Sequence, residues 1–307
     1  MKDALVDLGY AFGWRAVRAV PGGVASGVFR AGAGLVARRG GAGARQLRAN
    51  LGRLFEHGGA RVTAEELDAA TAAGLRSYAR YWCEAFRLPG MDPGALHAAV
   101  DPAVAGVAHL ETALARGRGV IAALTHSGNW DVAGVWLVRA LAERGEPASL
   151  VTVAERLRPD SLYNRFVAYR ESLGFEVLAV DGGARMVATL AARLRQNRVV
   201  CLVADRELGG GGIEVDLCGE PARLPAGPAQ LARHTGAALL PFGCWFTPTG
   251  WGLRFHPPVE VPHAVAARKA DQVTTQAMAD AFALDLTEHP TDWHMLQPVW
   301  SADRAVR

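Results

Sequence analysis

The stretch GVIAALTHSGNWD, residues 119–131, decides the interpretation of the chain, because an apolar run ends in a histidine and an aspartate follows five residues later. A short apolar run without polar alternation is typical of a strand buried on both faces of a sheet. Loops beyond the carboxyl ends of parallel strands are where α/β proteins place their chemistry. We therefore predict that His126 lies at such an end, with residues 127–129 in a turn and a helix from Asp131.

The spacing of His126 and Asp131 has two interpretations. In one continuous α-helix the two side chains would point about 140° apart, at about 100° per residue. With His126 on the turn and Asp131 in the first helical turn, the carboxylate can reach back to the imidazole. Such a contact fixes the tautomer and leaves the other ring nitrogen free to take a proton. The alternative is a helix cap, in which Asp131 or Ser127 satisfies backbone amides and the histidine has no role.

Beyond about residue 118, short apolar runs alternate with helical patterns of 10 to 15 residues. This alternation predicts an α/β fold with a largely parallel sheet flanked by helices. We expect a single domain over residues 1–307, with a mainly helical region at 1–100 and an α/β core at 101–307. The predicted strands are VIAALT (120–125), SLVTVA (149–154), FEVLAV (175–180), RVVCLVA (198–204), IEVDL (213–217) and AALLPFGCWF (237–246).

The first 60 residues are basic, with nine Lys and Arg against three Asp and Glu, and Trp, Phe and Leu stand among the cations. This mixture on helices suits an anionic lipid surface, although helices that only cover a core look similar. No cleavable signal or membrane span is expected, because polar residues and glycines interrupt the N-terminal apolar stretch. The spacing Thr63-Ala-Glu-Glu66 is a capping box, and the helix that it starts should end near residues 88–90.

The composition restricts the class of protein further. A chain of 307 residues with 50% hydrophobic residues can bury one large core, and a net charge of +3 does not indicate nucleic acid. The four cysteines have no C-x-x-C spacing, which favours reduced thiols and gives no support to zinc. His126 has no companions at metal-ligand spacing, so we expect no metal.

HSGNWD resembles the HTGNWE-type box of the bacterial lipid A acyltransferases, within the His-x4-Asp signature of glycerolipid and lysophospholipid acyltransferases. The resemblance extends along nearly the whole chain to the phosphatidylinositol mannoside acyltransferases of actinobacteria. Six further blocks carry it: GYAFGWRAVRAVP (9–21), SYARYWCEAFRLP (77–89), TVAERLRPDSLYNRFVAYRESLGFEVL (152–178), VVCLVADREL (199–208), DLCGEPARLPAGPAQLARHTGAALLP (216–241) and HPTDWHMLQPVW (289–300).

The resemblance implies transfer of a long acyl chain, palmitoyl, from acyl-CoA to the 6-hydroxyl of a mannose on phosphatidyl-myo-inositol mono- or dimannoside. The implied location is peripheral, at the cytoplasmic face of the plasma membrane, with the membrane surface and the anionic glycolipid as partners. Acyl-CoA is a co-substrate, and no other cofactor is implied. His126 would be the general base, Asp131 would orient it, and the alkoxide would attack the thioester directly. Consistent with this, the sequence has no G-x-S-x-G nucleophile motif.

A second carboxylate, Asp205, ends the strand in VADREL, which should neighbour the strand before His126. Members of the family carry Glu there, so this acid is one methylene shorter, and its partner, His126 or the sugar, stays open. An ordinary ion pair of Asp205 with Arg206 is the structural alternative. Donors for the thioester oxyanion are the backbone amides of residues 127–129, which include the substrate-binding candidate Asn129, or the side chain of Arg206.

Glu155 and Arg165 complete the candidate site, because the family uses matching residues near the polar head of its substrate. Arginine presents several donors to a phosphate, whereas the alternative is that both are helix-surface charges. The acyl chain needs an apolar tunnel between sheet and helices, since each buried methylene contributes about 0.8 kcal/mol. Small residues beside the His box would leave room for it: Ala122, Ala123, Ala133 and Gly134.

Three other functions remain open at this point. The first is an acyltransferase that acts on another glycolipid or on a lysolipid. The second is an acyl-CoA thioesterase, in which His126 activates water instead of a sugar hydroxyl. The third is a lipid-binding protein without catalytic activity, built around the same tunnel.

Overall fold

The computed structural model describes residues 16–155, 160–180, 183–207 and 210–304, and every structural statement below concerns these residues. Residues 1–15 of the predicted basic N-terminal region lie outside them. The N-terminal part is helical, as predicted, and its α-helices are α1 (Gly22–Arg39), α2 (Ala42–His57), α3 (Ala64–Arg87) and α4 (Pro93–Val100). Single 3-10 turns lie at Leu88–Gly90, Asp101–Ala103 and Pro290–Asp292.

The remaining chain alternates strands with helices. The strands are β1 (Val104–Ala105), β2 (Val120–Leu124), β3 (Leu150–Glu155), β4 (Phe175–Val180), β5 (Val199–Val203), β6 (Ile213–Leu217), β7 (Glu220–Leu224), β8 (Ala238–Phe246) and β9 (Trp251–Phe255). The helices are α5 (Val107–Ala115), α6 (Trp130–Glu143), α7 (Asp160–Glu171), α8 (Ala184–Arg195), α9 (Gly227–Thr235), α10 (Ala267–Glu288) and α11 (Ser301–Arg304). The predicted α/β class is confirmed.

Seven strands form one sheet in the order β1-β9-β8-β2-β5-β3-β4. The five adjacent strands from β8 to β4 run parallel to one another. Strand β9 is antiparallel to β8, and β1 pairs with β9 in parallel at the edge of the sheet. The expectation of a largely parallel sheet is therefore correct. The predicted strand IEVDL forms as β6, but it pairs with β7 in a separate antiparallel hairpin.

Strand β2 shows why the sequence lacks polar alternation. Val120, Ala122 and Leu124 pack in one core cluster with helices α4, α5 and α6, whereas Ile121 and Ala123 pack in the other with helices α8, α9 and α10. None of the five is more than 4% exposed. Because both faces are covered, every position of the strand has to be apolar. The central strand is thus rigidly held on both sides, and so is its carboxyl end.

Helix α3 begins at the predicted capping box. The Thr63 hydroxyl accepts a hydrogen bond from the Glu66 amide at 3.2 Å, and the Glu66 carboxylate accepts one from the Thr63 amide at 2.7 Å. The helix ends at Arg87, where the 3-10 turn Leu88–Gly90 follows, as predicted. This 24-residue helix carries Tyr78, Tyr81 and Trp82 toward the cleft described below.

The four cysteines have free thiols, and three of them are buried. Burial raises the pKa of the Cys201 thiol to about 12, and burial beside Asp216 does the same for Cys218. These thiols stay protonated near neutral pH and are poor nucleophiles. Among the described residues, no helix has the length and the apolar composition that a membrane span requires.

Candidate active site

The site forms where β2 and β5 end side by side. The two strands pair in parallel, and the amide of Ala204 donates to the carbonyl of Leu124 at 2.7 Å. The next residues, Asp205 and His126, therefore meet at the same edge of the sheet. Nδ1 of His126 lies 2.6 Å from Oδ1 of Asp205. The sequence left the partner of Asp205 open, and the structure shows that this partner is His126.

Asp205 is held by two further donors. Its Oδ2 accepts from the backbone amide of His126 at 2.8 Å and from the indole Nε1 of Trp293 at 2.8 Å. Burial alone would raise the pKa of Asp205, but the charge and hydrogen bonds of His126 and the bond from Trp293 outweigh it, so the pKa lies below its usual range. An ionised carboxylate only accepts, so Nδ1 of His126 donates its proton to Asp205, and in the neutral form of the ring the lone pair lies on Nε2.

The turn after β2 depends on Gly128. Its φ is +55°, and a Cβ there would lie 2.7 Å from the backbone nitrogen of Trp245. Its amide donates to the carbonyl of Asp292 at 2.9 Å, and the amide of Ser127 donates to Thr125 at 2.8 Å. Two of the three amides considered as oxyanion donors are therefore already bonded within the protein.

The expectation that Asp131 reaches back to His126 is corrected by the structure. Oδ1 of Asp131 accepts from Nε of Arg170 at 3.0 Å, and Oδ2 accepts from the hydroxyl of Tyr81 at 3.1 Å. Asp131 is 1% exposed, in the first turn of α6, and faces α3 and α7. A buried carboxylate requires a counter-charge, and Arg170 supplies one. Asp131 therefore connects α6 with α3 and α7 through hydrogen bonds.

Asn129 is the N-cap of α6. Its side-chain oxygen accepts from the amide of Val132 at 3.1 Å, and its amide nitrogen donates to Glu84 at 2.8 Å. The residue is 2% exposed and is not among the residues that line the cleft. The substrate-binding candidate therefore fixes the start of the helix, and with it the position of the turn.

A cleft of about 370 Å³ lies over the His126–Asp205 pair. This is within the range of small-molecule sites in proteins. The ring of Trp130 stands edge-on to His126, with 5.6 Å between ring centroids. Residues from α3, α6, α7, the strand ends and the segment 294–297 line the cleft: Tyr78, Tyr81, Trp82, His126, Trp130, Val153, Ala154, Glu155, Tyr163, Phe166, Arg170, Val180, Val203, Arg206, His294, Met295, Leu296 and Gln297.

Glu155 and Arg206 lie together at the edge of the cleft. The guanidinium of Arg206 donates to Gln297 at 2.6 Å and to Glu155 at 3.3 Å. Its Nε is buried and has no hydrogen-bond partner among the described residues. The alternative of an Asp205–Arg206 ion pair is not observed, because Arg206 pairs with Glu155 and Gln297 at the wall of the cleft.

Arg165 does not line the cleft, whereas Arg170 on the same helix does. Arg165 is exposed, and five residues of helix turn the side chain by about 140°. Burial alone would lower the pKa of Arg170, but Asp131, Tyr81 and Tyr169 raise it. Sequence reasoning missed Arg170, although its position four residues after Phe166 places it on the apolar face of α7.

A second, smaller cavity of about 50 Å³ adjoins the cleft, with Trp130, Val153 and Val203 in the lining of both. Ala133 and Gly134 line it, whereas Ala122 and Ala123 are fully buried and do not. A Cβ on Gly134 would lie 2.4 Å from the ring of Phe175. The absence of a side chain at Gly134 therefore makes room for the ring of Phe175. The apolar cavity beside Ala133 and Gly134 is small, at about 50 Å³. Among the described residues, no cluster of His, Cys, Asp and Glu could hold a metal ion.

The chain belongs to the bacterial lipid A biosynthesis acyltransferase family, whose sequence model matches residues 3–302, and its class is therefore that of an acyltransferase. The relatives are more particular. The chain is 52% identical to the phosphatidylinositol mannoside acyltransferase of Mycolicibacterium smegmatis, over 97% of this chain and 92% of the relative. It is 50% identical to the phosphatidylinositol mannoside acyltransferase of Mycobacterium tuberculosis, over 97% of this chain and 89% of the relative.

Proposed function

We propose that the protein transfers a palmitoyl chain from acyl-CoA to the 6-hydroxyl of a mannose on phosphatidyl-myo-inositol mono- or dimannoside. Two relatives named for a phosphatidylinositol mannoside substrate, each covering 97% of the chain, support the acceptor class. The observation that carries the mechanism is the 2.6 Å contact between His126 and Asp205 at the base of the cleft.

His126 acts as the general base in this proposal. Its Nδ1 proton is bonded to Asp205, so Nε2 takes the proton of the mannose hydroxyl as the oxygen attacks the thioester carbonyl. The carbon–sulfur bond then breaks, and the CoA thiolate leaves and takes the proton from the imidazolium. Asp205 holds the tautomer and stabilises the cation that forms. No covalent acyl-enzyme is needed on this path.

Arg206 is the remaining side-chain candidate for the thioester oxyanion. It lines the cleft, follows Asp205 directly and keeps a buried Nε without a described partner. A preorganised donor that faces developing negative charge is among the largest contributions to acyl transfer. Glu155 is bonded to the same guanidinium, and its side chain is 59% exposed. In this proposal Glu155 meets the polar head of the acceptor.

We infer that the enzyme works at a membrane surface and that α1 contacts it. Val24, Val28 and Leu35 lie within about 40° of each other around the helix and are 56%, 66% and 46% exposed. Arg38 and Arg39 follow in the last turn. An exposed apolar stripe beside cations suits an interface of anionic lipid. The peripheral location at the cytoplasmic face of the plasma membrane is part of the same proposal.

The test pairs wild type with His126→Ala, each given radiolabelled palmitoyl-CoA with and without phosphatidylinositol mannosides in micelles. Loss of a general base costs about 10²- to 10⁴-fold in rate. We expect label in the glycolipid with wild type and a loss of that order in the variant. The matched control is His256→Ala. It removes a buried histidine that follows β9 and is hydrogen-bonded to Asp285 of α10, away from the cleft.

Two outcomes would contradict the proposal. Label that appears only as free palmitate would make the protein a thioesterase. If His126→Ala still transferred the label to the acceptor, the His126–Asp205 pair would not be the general base of the reaction. Supplying a lysophospholipid or another glycolipid in parallel identifies the acceptor class.

A further inference from the structure

A row of polar side chains on α2 faces the C-terminal segment of the chain. Gln46, Asn50 and Arg53 follow each other at intervals of four and three residues, so they lie within about 60° around the helix. This row borders the apolar face of α2, whose buried leucines are Leu47, Leu51 and Leu54. Asn50 is 0% exposed, although asparagine is mostly a surface residue. A buried amide requires hydrogen-bond partners, and these partners indicate its role.

Asn50 binds a loop in the wall of the cleft. Its Nδ2 donates to the carbonyl of Met295 at 2.7 Å and to the carbonyl of Gln297 at 3.1 Å. Its Oδ1 accepts from the side-chain amide of Gln46 at 2.9 Å. Carbonyl oxygens only accept, so the nitrogen of Asn50 has to face the loop, and both of its hydrogens are used there. A side chain with fewer donors cannot satisfy both carbonyls.

The neighbours of Asn50 on α2 hold the chain that follows the loop. The side-chain amide of Gln46 also donates to Oδ2 of Asp303 at 3.0 Å. The guanidinium of Arg53 donates to both carboxylate oxygens of Asp303, at 2.8 and 2.9 Å. Helix α2 therefore fixes the loop at Asn50 and the short helix α11 at Gln46 and Arg53.

The loop in turn contacts Arg206. Oε1 of Gln297 accepts from Nη1 of Arg206 at 2.6 Å, whereas Glu155 accepts from Nη2 at 3.3 Å. Gln297, Arg206 and Glu155 all line the cleft. A guanidinium is planar and rigid, so bonds to its two terminal nitrogens also set the direction of Nε. This Nε is the buried atom without a partner among the described residues.

We propose that Asn50 positions Arg206 for the reaction, through the backbone of residues 295–297 and the side chain of Gln297. The inference rests on the proposed function, in which Arg206 faces the thioester oxyanion. Asn50 is not among the residues that line the cleft, so it is a positioning residue and touches no substrate. An oxyanion donor acts only when it is aimed at the developing charge, and a misplacement of about 1 Å costs about 10²-fold in rate.

The first experiment measures whether Asn50 acts through Arg206. Asn50→Ala, Arg206→Ala and the double variant are compared with wild type, using radiolabelled palmitoyl-CoA and phosphatidylinositol mannoside. Asn50→Ala should lower kcat about 10-fold or more and change KM for acyl-CoA less than about twofold, because the interaction is made in the transition state. Arg206→Ala should lower kcat about 10²- to 10³-fold. The double variant should match Arg206→Ala within about twofold.

The matched control is Asn197→Ala. Asn197 also binds backbone groups, the amide of Gly119 and the carbonyl of Leu114, but it lies at the amino ends of β2 and β5. This variant should keep kcat. If the losses of Asn50→Ala and Arg206→Ala multiplied in the double variant, Asn50 would act independently of Arg206 and the inference would be overturned. A loss of kcat in Asn197→Ala as large as in Asn50→Ala would also overturn it.

Gln297 is exposed, so its variants test the same contact without a change in the core. Gln297→Ala removes the acceptor for Nη1 of Arg206, whereas Gln297→Glu retains one. Gln297→Ala should lower kcat about as much as Asn50→Ala and should add nothing to Arg206→Ala. Gln297→Glu should keep kcat within about threefold of wild type. Wild-type kcat in Gln297→Ala would contradict the inference.

Hydrogen exchange followed by mass spectrometry tests the loop independently of the reaction. In Asn50→Ala, peptides that cover residues 295–300 should exchange about 5-fold or more faster than in wild type, because two hydrogen bonds to the loop are lost. Peptides over β3 should not change, and Asn197→Ala should leave residues 295–300 as they are. Unchanged exchange of the loop in Asn50→Ala would overturn the inference. Wild type that acylates no mannoside refutes the proposed function, and the exchange still decides whether Asn50 holds the loop.

Discussion

Asp205 is 1% exposed and accepts three hydrogen bonds, two from the ring and the backbone amide of His126 and one from the indole of Trp293. The carboxylate thereby connects the ring of His126, the turn after β2 and the C-terminal segment. A single side chain therefore sets the tautomer of His126 and also fixes Trp293.

Asp205→Asn should lose both rate and stability. An amide presents only one acceptor oxygen, so at least one of the three donors faces an NH₂ group. We expect kcat to fall by about 10³- to 10⁴-fold, because the tautomer is no longer set, and the free energy of unfolding to fall by about 3–5 kcal/mol. Steady-state kinetics and urea denaturation measure the two effects.

The control for Asp205→Asn is Asp271→Asn, a buried carboxylate paired with Arg233 at 2.7 Å away from the cleft. It should lose stability and keep kcat. If both variants retained kcat, the assignment of Asp205 as the partner of the base would be wrong.

The pH dependence of stability follows from the same carboxylate. Its pKa in the folded protein lies below the ordinary value of 3.8, so its contribution to stability is complete above that pH. The contribution is lost as the pH falls from 3.8 through the lower folded-state pKa. In acid titrations followed by circular dichroism, wild type should therefore lose more stability over this range than Asp205→Asn. An identical acid slope in both proteins would mean that the folded pKa is not depressed.

At the scale of elements, the connection between β2 and α6 positions His126, and Gly128 allows the tight turn in that connection. Gly128→Ala should destabilise the protein by about 2–5 kcal/mol, because a left-handed φ costs about 1–2 kcal/mol and overpacking adds about 1–3 kcal/mol. Thermal unfolding measures this change.

Gly32 is the matched control, because it lies within α1 and has open space around the position of a Cβ. Gly32→Ala should stabilise by about 0.5–1 kcal/mol. Equal effects of the two substitutions would mean that the turn tolerates a side chain.

The carboxyl-edge meeting of His126 and Asp205 was predictable from sequence, because adjacent parallel strands end together. The partner of Asp131 was not, since Tyr81 and Arg170 lie 50 and 39 residues away on two other helices. Their rotation about the helix axes depends on packing that spacing alone does not specify. The hairpin of IEVDL was missed for a related reason, because its partner β7 contains Pro221 and reads weakly as a strand.

At the scale of the whole molecule, attachment to membranes should be electrostatic and apolar together. Binding to vesicles with anionic lipid should fall at least about tenfold between 0.05 and 0.5 M salt, because screening shortens the reach of each cation. Flotation assays measure the bound fraction.

Two variants test whether membrane binding depends on the exposed apolar residues Val24, Val28 and Leu35 of α1 or on any exposed apolar residue. Val28→Glu should weaken flotation, whereas Leu284→Glu, a 63% exposed leucine on α10, should not. Flotation that is indifferent to salt and to Val28→Glu would contradict the proposed surface.

The segment 293–297 is the last part of the site to be translated, so we expect activity to appear only after the ribosome has added it. Trp293 follows Asp205 by 88 residues, so a ribosome that adds about 5–20 residues per second needs about 4–18 s to pass from one to the other. Until Trp293 is added, Asp205 lacks one of its three hydrogen-bond donors and the cleft lacks residues 294–297 of its lining. We therefore expect a growing chain to be inactive until the last part of the cleft is translated, and we expect cleavage of this segment by a protease to abolish activity.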